Sequence, residues 1–193
     1  MNSTGDDVIN ATAGIQTAEE LDEFYASSDP WEYDHTGDDH RRKRELLALL
    51  PRRSYGRTLD IGCGNGFLTG DLPGDQVLGV DISRRAIEWA RERAVSEAVD
   101  DRLLFEVASL FDLNPDRHGT FDLIVITGVL YSQYIGKGAP LVRILIDSLL
   151  RERGILACCH IADWQPLRFA YTVLDTILYP YREFTHRLEV YQA

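Results

Sequence analysis

Residues 58–67 read Thr-Leu-Asp-Ile-Gly-Cys-Gly-Asn-Gly-Phe, and this stretch constrains the fold more than any other. Leu59 and Ile61 flank Asp60 at the end of a short apolar strand. Gly62, Gly64 and Gly66 follow at alternate positions. Such a run lets the backbone turn tightly and approach a ligand with no side chain in the way. Phe67 and Leu68 resume the apolar pattern, so the spacing predicts a helix from about Gly66 to Pro73-Gly74. A strand, a glycine turn and a helix N-terminus make a nucleotide-type ligand site. Taken alone, the stretch also fits an ordinary strand-to-helix turn. It does not fit a dinucleotide turn, Gly-x-Gly-x-x-Gly, because the third glycine comes one residue early and Phe67 stands in its place.

The 193 residues suffice for one domain with a real core and are too few for two comfortable ones. The formal charge is -11, from 31 acidic against 20 basic residues. That balance argues against nucleic acid as the main partner, since phosphate binding needs a positive surface. Met1 to Asp7 lacks a basic or apolar leader pattern, and no apolar run reaches membrane-spanning length. Cys63, Cys158 and Cys159 form neither a disulfide framework nor a zinc spacing, so no metal site is expected. Reduced packing cysteines and a cytoplasmic location are the expectation. The sequence carries no signal of oligomeric state.

Residues 1 to about 16 are small and polar and read as a frayed lead. Thr17 caps a short helix, with Glu20 reaching back and Leu21, Phe24 and Tyr25 apolar. Asp29-Pro30-Trp31-Glu32-Tyr33-Asp34-His35 follows. Its aromatics either plug the top of the core or form a lid over ligand and acceptor, with Trp31, Tyr33 and His35 as lid residues. A helix is expected over about Asp38 to Leu50. Its His40-Arg41-Arg42-Lys43-Arg44 run reads as a solvated face, with anion binding by part of it as the alternative. Residues 1–50 thus make a polar lead and helical lid, and residues 51–193 the ligand-binding domain.

Strands are expected at Val77 to Asp81, Leu103 to Val107, Phe121 to Thr127, Ile155 to Ile161 and Phe184 to Tyr191. Helices are expected from Ser83, across Pro140 to Arg151, and over Pro166 to Leu178. This alternation predicts an α/β, Rossmann-like, doubly wound and mostly parallel sheet with helices on both faces. Asp60, Gly62, Asp81, Ser109, Thr127 and His160 all fall at or just beyond strand carboxyl ends, where such sheets bind ligands. Asp81 lies where a carboxylate can take a ribose diol, or else it precedes a Ser83 helix cap.

Asp60 to Gly66 resembles motif I of the class I S-adenosylmethionine-dependent methyltransferases. Gly79-Val80-Asp81-Ile82-Ser83 is similar to the ribose-binding second motif, Val107 to Leu113 to the adenine-contacting third, and Phe121 to Val125 with Val129-Leu130-Tyr131 to the fourth. Asp29-Pro30-Trp31 with Val129-Leu130-Tyr131 is similar, more narrowly, to the nodulation N-methyltransferases acting on chitooligosaccharides. The resemblance implies S-adenosyl-L-methionine as cofactor, held by Asp60, Gly62, Cys63, Gly64, Asp81, Ile82, Ser109, Leu110 and Thr127. It implies transfer of a methyl group by in-line displacement to an amine or hydroxyl of a small sugar-like or natural-product acceptor. Tyr131 and His160 are the leading candidates to take the acceptor proton, with Asp163 and His35 also within the expected site. Ser109 stands where the third motif often has an acid, and Gly128 where the nodulation-type enzymes carry a glutamate. Only six strands are read before Ala193, so either the chain lacks the fold's usual final antiparallel strand or the sequence is a truncated stretch. These departures leave a non-catalytic cofactor-binding protein as the alternative.

Overall fold

The computed structural model describes residues 15–164 and 167–193, so most of the expected polar lead lies outside the described residues. A seven-stranded sheet runs β3-β2-β1-β4-β5-β7-β6. Its strands are β1 (Arg57–Ile61), β2 (Gln76–Asp81), β3 (Leu103–Val107), β4 (Phe121–Thr127), β5 (Leu150–Ile161), β6 (Thr172–Tyr181) and β7 (Phe184–Gln192). The first five are parallel where they pair, while β7 runs antiparallel to both β5 and β6.

The longer helices are α1 (Ala18–Phe24), α2 (Gly37–Leu49), α3 (Arg84–Ser96) and α6 (Ala139–Leu149), with one-turn helices α4 (Pro115–His118) and α5 (Ser132–Ile135). Alternate residues of β4 and β5 feed two cores. Ile124, Ile126, Leu156 and Cys158 pack with Val142 and Ile146 of α6 on one face. Leu123, Val125, Ile155, Ala157 and Cys159 pack with Leu46 of α2 and Ala94 of α3 on the other. Each fully buried aliphatic side chain contributes roughly 1.5–3 kcal/mol. The three cysteines are free and buried, as expected. Among the described residues no helix is long and apolar enough to cross a membrane.

Three expectations are corrected. Of the stretch predicted as a helix over 166–178, residues 172–178 lie in β6 and residues 167–171 form an irregular lead-in, while residue 166 lies outside the described residues. Thr172, Val173, Thr176 and Ile177 are β-branched, and Tyr179 and Tyr181 add aromatic rings, all of which suit a pleated strand. Pro180 is tolerated because β6 is an edge strand. β6 pairs with the expected strand, β7 (Phe184–Gln192), so the antiparallel hairpin is complete and no strand of the sheet is missing. The helix expected from Gly66 to Pro73-Gly74 shrinks to one 3-10 turn, Thr69–Asp71. Gly66 sits at φ 79°, which a helix cannot use, and Gly70 and Pro73 leave little helix-forming sequence behind it.

The register fixes where the strand ends meet. Ile61 stands opposite Val80 and Ile126, Asp81 opposite Val107, and Thr127 opposite Cys159. Parallel pairing therefore brings Asp60, Asp81, Thr127 and His160 toward one edge of the sheet.

Candidate functional site

The glycine turn is held by its neighbours rather than by a helix. The Gly62 and Cys63 N–H groups both donate to the Val80 carbonyl, at 2.8 and 3.0 Å. Gly64 N–H donates to Asp81 Oδ2 at 3.0 Å, and Ser83 N–H to Asp81 Oδ1 at 3.0 Å. Gly62 and Gly64 have φ of 74° and 54°, so both need the glycine backbone. They also need its bareness, because a Cβ on Gly62 would collide with Val129 and one on Gly64 would lie 2.6 Å from the Tyr25 hydroxyl.

Asp81 secures the turn and sits beside the Ser83 cap, whose hydroxyl accepts from Ala86 N–H at 3.1 Å. Burial raises its pKa, against the opposing N–H bonds from Ser83 and Gly64. Asp60 is buried and accepts from the Thr69 hydroxyl at 2.6 Å. Burial raises its pKa to about 6, with Thr69 and the positive charge of Arg42 pulling the other way. A carboxylate so desolvated lacks a full counter-charge of its own.

Arg42 is the residue that sequence reasoning underweighted. It lies in the basic run of α2, yet it is buried while Arg44 is exposed. Its guanidinium lies 4.9 Å from the Tyr33 ring centroid and 3.2 Å from Asp39 Oδ1. Arg42, Tyr33, Asp60, Gly62, Phe67 and Thr127 line a cavity of about 20 Å³. Helical spacing could have flagged it, because Arg42 falls four residues before Leu46, on the face that α2 turns to the core.

The aromatic segment that includes Trp31 and Tyr33 packs beside this cavity. Phe24, Trp31, Tyr33 and Phe67 form a chain of rings with successive centroids 4.5, 6.4 and 5.5 Å apart. Asp22 of α1 accepts from the Ser83 hydroxyl at 2.6 Å, and the Trp89 indole donates to the Tyr25 carbonyl at 3.1 Å. Asp34 takes both outer nitrogens of Arg93, which holds its carboxyl below the usual range. His35 is exposed and stands apart from this packing.

Farther along the edge, Ile82 is half-buried and Leu110 buried. The Ser109 hydroxyl accepts from Phe111 N–H at 3.2 Å as a turn cap. Beyond β4 and β5 the surroundings become aromatic. Tyr131 packs edge-on to His160 and Trp164, with centroids 5.5 and 5.7 Å away, and Trp164 meets Phe184 at 4.8 Å. The Tyr131 hydroxyl accepts from Ile161 N–H at 2.8 Å, which leaves its own proton free to donate. His160 Nε2 lies 3.4 Å from Leu130 N–H. Burial, with Arg187 and His186 nearby, lowers the His160 pKa to about 3, so the ring is neutral at ordinary pH. Asp163 is exposed. Gly128 has φ 70° and open space where a side chain would project, so its backbone suits glycine and not the glutamate of the resemblance.

With this geometry in place, comparison with known proteins is informative. A family model for the methyltransferase domain matches residues 53–179. The 27-O-demethylrifamycin SV methyltransferase of Amycolatopsis mediterranei is 39% identical over 82 residues, covering 41% of this chain and 30% of the relative. The ubiquinone biosynthesis O-methyltransferase of Xanthomonas euvesicatoria pv. vesicatoria is 28% identical over 149 residues, covering 71% and 58%. The chain thus spans less than two thirds of the length of these relatives. Among solved structures, N-methyltransferase NodS from Bradyrhizobium japonicum with bound S-adenosyl-L-homocysteine superposes with a TM-score of 0.73 at 22% identity, covering 91% of this chain and 97% of that one. At that identity the likeness speaks for the fold.

Proposed function

The chain belongs to the methyltransferase domain family, and from that premise we propose that it uses S-adenosyl-L-methionine to methylate an amine or hydroxyl of a small molecule. The observation that carries this reading is the meeting of Arg42 and Asp60 in one cavity beside a bare glycine turn, with Asp81 on the next strand. A buried cation and a buried, under-compensated carboxylate match the two charged ends of an amino-acid tail. The bound cofactor supplies a methyl group on a sulfonium, whose transfer leaves a neutral thioether.

Arg42 takes the tail's carboxylate and Asp60 its ammonium group. Asp81 accepts backbone N–H groups but has four lone-pair sites on its two oxygens, and the remaining capacity receives the ribose diol. Ile82 and Leu110 offer apolar faces to adenine. Ser109 contributes little there, because its hydroxyl already caps its own turn. Cys63 packs beneath the glycine turn, and Thr127 borders the tail. The cavity among these groups holds about 20 Å³, room for one water, so the lid bearing Tyr33 moves outward as a tail enters.

Charge is lost at the sulfur, so no oxyanion hole is needed. Alignment of acceptor and methyl group is the main contribution, up to ~7–11 kcal/mol. Tyr131 and His160 lie on the acceptor side. Tyr131 can donate a hydrogen bond to the acceptor or relay its proton. His160, kept neutral by burial, orients the Leu130–Tyr131 backbone, and the same burial makes it a weak base. Trp31 and Tyr33 belong to a lid over the bound tail, while exposed His35 stands outside it. The relatives' names span O- and N-methyl transfer, which fits a hydroxyl or an amine acceptor of natural-product or sugar-like type.

A thermal-shift comparison tests the reading. S-adenosyl-L-homocysteine at ~100 times its dissociation constant should add ~2.7 kcal/mol of stability, and NADH should add none. Methyl transfer is then assayed on a panel of phenols and amino sugars. Stabilisation without turnover on any acceptor would favour a non-catalytic cofactor-binding protein.

A further inference from the structure

Asp39 is fully buried at the N-terminal turn of α2, and its four partners come from two distant parts of the chain. Its Oδ2 accepts from the Thr36 hydroxyl at 2.6 Å and from the Arg182 guanidinium at 3.3 Å. Its Oδ1 accepts from the Tyr181 hydroxyl at 2.8 Å and lies 3.2 Å from the Arg42 guanidinium. Tyr181 and Arg182 belong to the turn between β6 and β7, over 140 positions away. That turn is held under strain. Arg182 sits at φ 51°, in the left-handed region, and its N–H donates to Asp38 Oδ2 at 3.0 Å while its side chain donates to the Trp31 carbonyl at 2.9 Å. The Tyr181 ring lies flat on His186, with centroids 3.7 Å apart.

We propose that Tyr181, acting through Asp39, is a positioning residue that sets where Arg42 points and how much of its charge faces the cofactor cavity. This rests on the reading that Arg42 receives the methionine carboxylate. A buried carboxylate beside an arginine would normally claim it as a full ion pair. Here the Tyr181 hydroxyl competes for the same Oδ1, and Thr36 and Arg182 occupy Oδ2. Asp39 therefore holds Arg42 by one nitrogen, and the rest of the guanidinium fork remains for the cavity that Arg42 shares with Asp60 and Gly62. Remove the tyrosine hydroxyl and Asp39 draws Arg42 away from the cavity.

The test measures binding of two ligands by calorimetry to the full chain. S-Adenosyl-L-homocysteine carries the amino-acid tail, whereas 5′-methylthioadenosine presents the same adenosyl thioether without it. Tyr181→Phe keeps the ring on His186 and should weaken S-adenosyl-L-homocysteine roughly three- to tenfold, the weight of one hydrogen bond, with methylthioadenosine changed less than about twofold. Arg42→Met should show the same selectivity with a larger loss. In the Arg42→Met background, Tyr181→Phe should have no further effect, because its action runs through Arg42. Equal weakening of both ligands, no weakening of either, tighter binding, or a persisting effect without Arg42 each overturns the proposal. If the wild-type protein binds neither ligand, the cofactor reading itself falls. If it binds both equally well, the carboxylate role of Arg42 falls while the adenosyl site stands.

Discussion

The two halves of the carboxyl edge of the sheet are built by different means. On the β1–β2 side most binding groups come from one strand–turn–strand unit, Asp60, the glycine turn and Asp81, joined by backbone hydrogen bonds, with Arg42 added from α2. On the β4–β5–β7 side they come from segments far apart: Tyr131, His160, Trp164 and Phe184 meet ring to ring. The first half is polar, with carboxylates and turned backbone. The second is built of aromatic rings, with its histidine kept neutral. A half made from local backbone suits a ligand fragment that never varies. A half made from side chains on separate elements can change its acceptor one ring at a time.

The sharpest way to break this contrast is to remove Asp81. Asp81→Ala loses the acceptor for both Gly64 and Ser83 N–H as well as the proposed ribose contact. Two bonds to a charged group imply a loss in S-adenosyl-L-homocysteine affinity on the order of a thousandfold. Trp164→Ala, on the aromatic side, should leave that affinity within about twofold while weakening the acceptor. Comparable losses in both variants would mean the halves are not separable.

Next in size is Tyr131→Phe. Its hydroxyl accepts from Ile161 N–H and has its own proton to give. Steady-state kinetics should show kcat/KM for the acceptor falling by about 10²-fold, the low end of acid–base contributions, with cofactor affinity unchanged. A change in cofactor affinity alone would place Tyr131 on the wrong side of the comparison.

The same contrast explains what the sequence made readable. β1 to β5 stand where period-two and continuous apolar runs put them, because Leu59, Ile61 and residues 121–127 are buried by local pattern. Asp60, the glycines and Asp81 were legible because their spacing within one unit is enough to place them together. β6 was misread because Thr172–Tyr181 is an exposed edge whose strand character comes from pairing with β7. Arg42 was underweighted because its burial depends on Asp39, Tyr33 and the distant β6–β7 turn, none of which shows in a run of basic residues. The short helix after the glycine turn failed for a local reason: Gly66 is spent on a positive φ.

A smaller effect follows from the Asp60 pKa of about 6 in the free protein. An ammonium group beside it favours the carboxylate, so binding lowers this pKa and releases a proton. Affinity for S-adenosyl-L-homocysteine is then full above pH 6 and declines as pH falls through 6, by about tenfold from pH 7 to 5. Calorimetry across that range should show the decline in the wild type and its absence in Asp60→Asn. A flat wild-type profile would remove Asp60 from the tail site.

The smallest effect belongs to His160, on the aromatic side, and it appears in stability instead of binding. Its folded pKa is depressed to about 3, below the ordinary value of 6.5. The unfolded chain therefore takes a proton first as pH falls, and the neutral buried ring becomes a liability below pH 6.5. Between pH 6.5 and 5.5 this one group should cost about 1 kcal/mol of stability. His160→Gln keeps an acceptor toward Leu130 N–H and cannot titrate there. Urea unfolding at the two pH values should show a smaller drop for the variant by about that amount, with cofactor affinity unmoved. If the variant loses stability in parallel with the wild type, His160 is not held neutral by its surroundings. The neutral histidine of the aromatic half, on which the comparison turns, would then be lost.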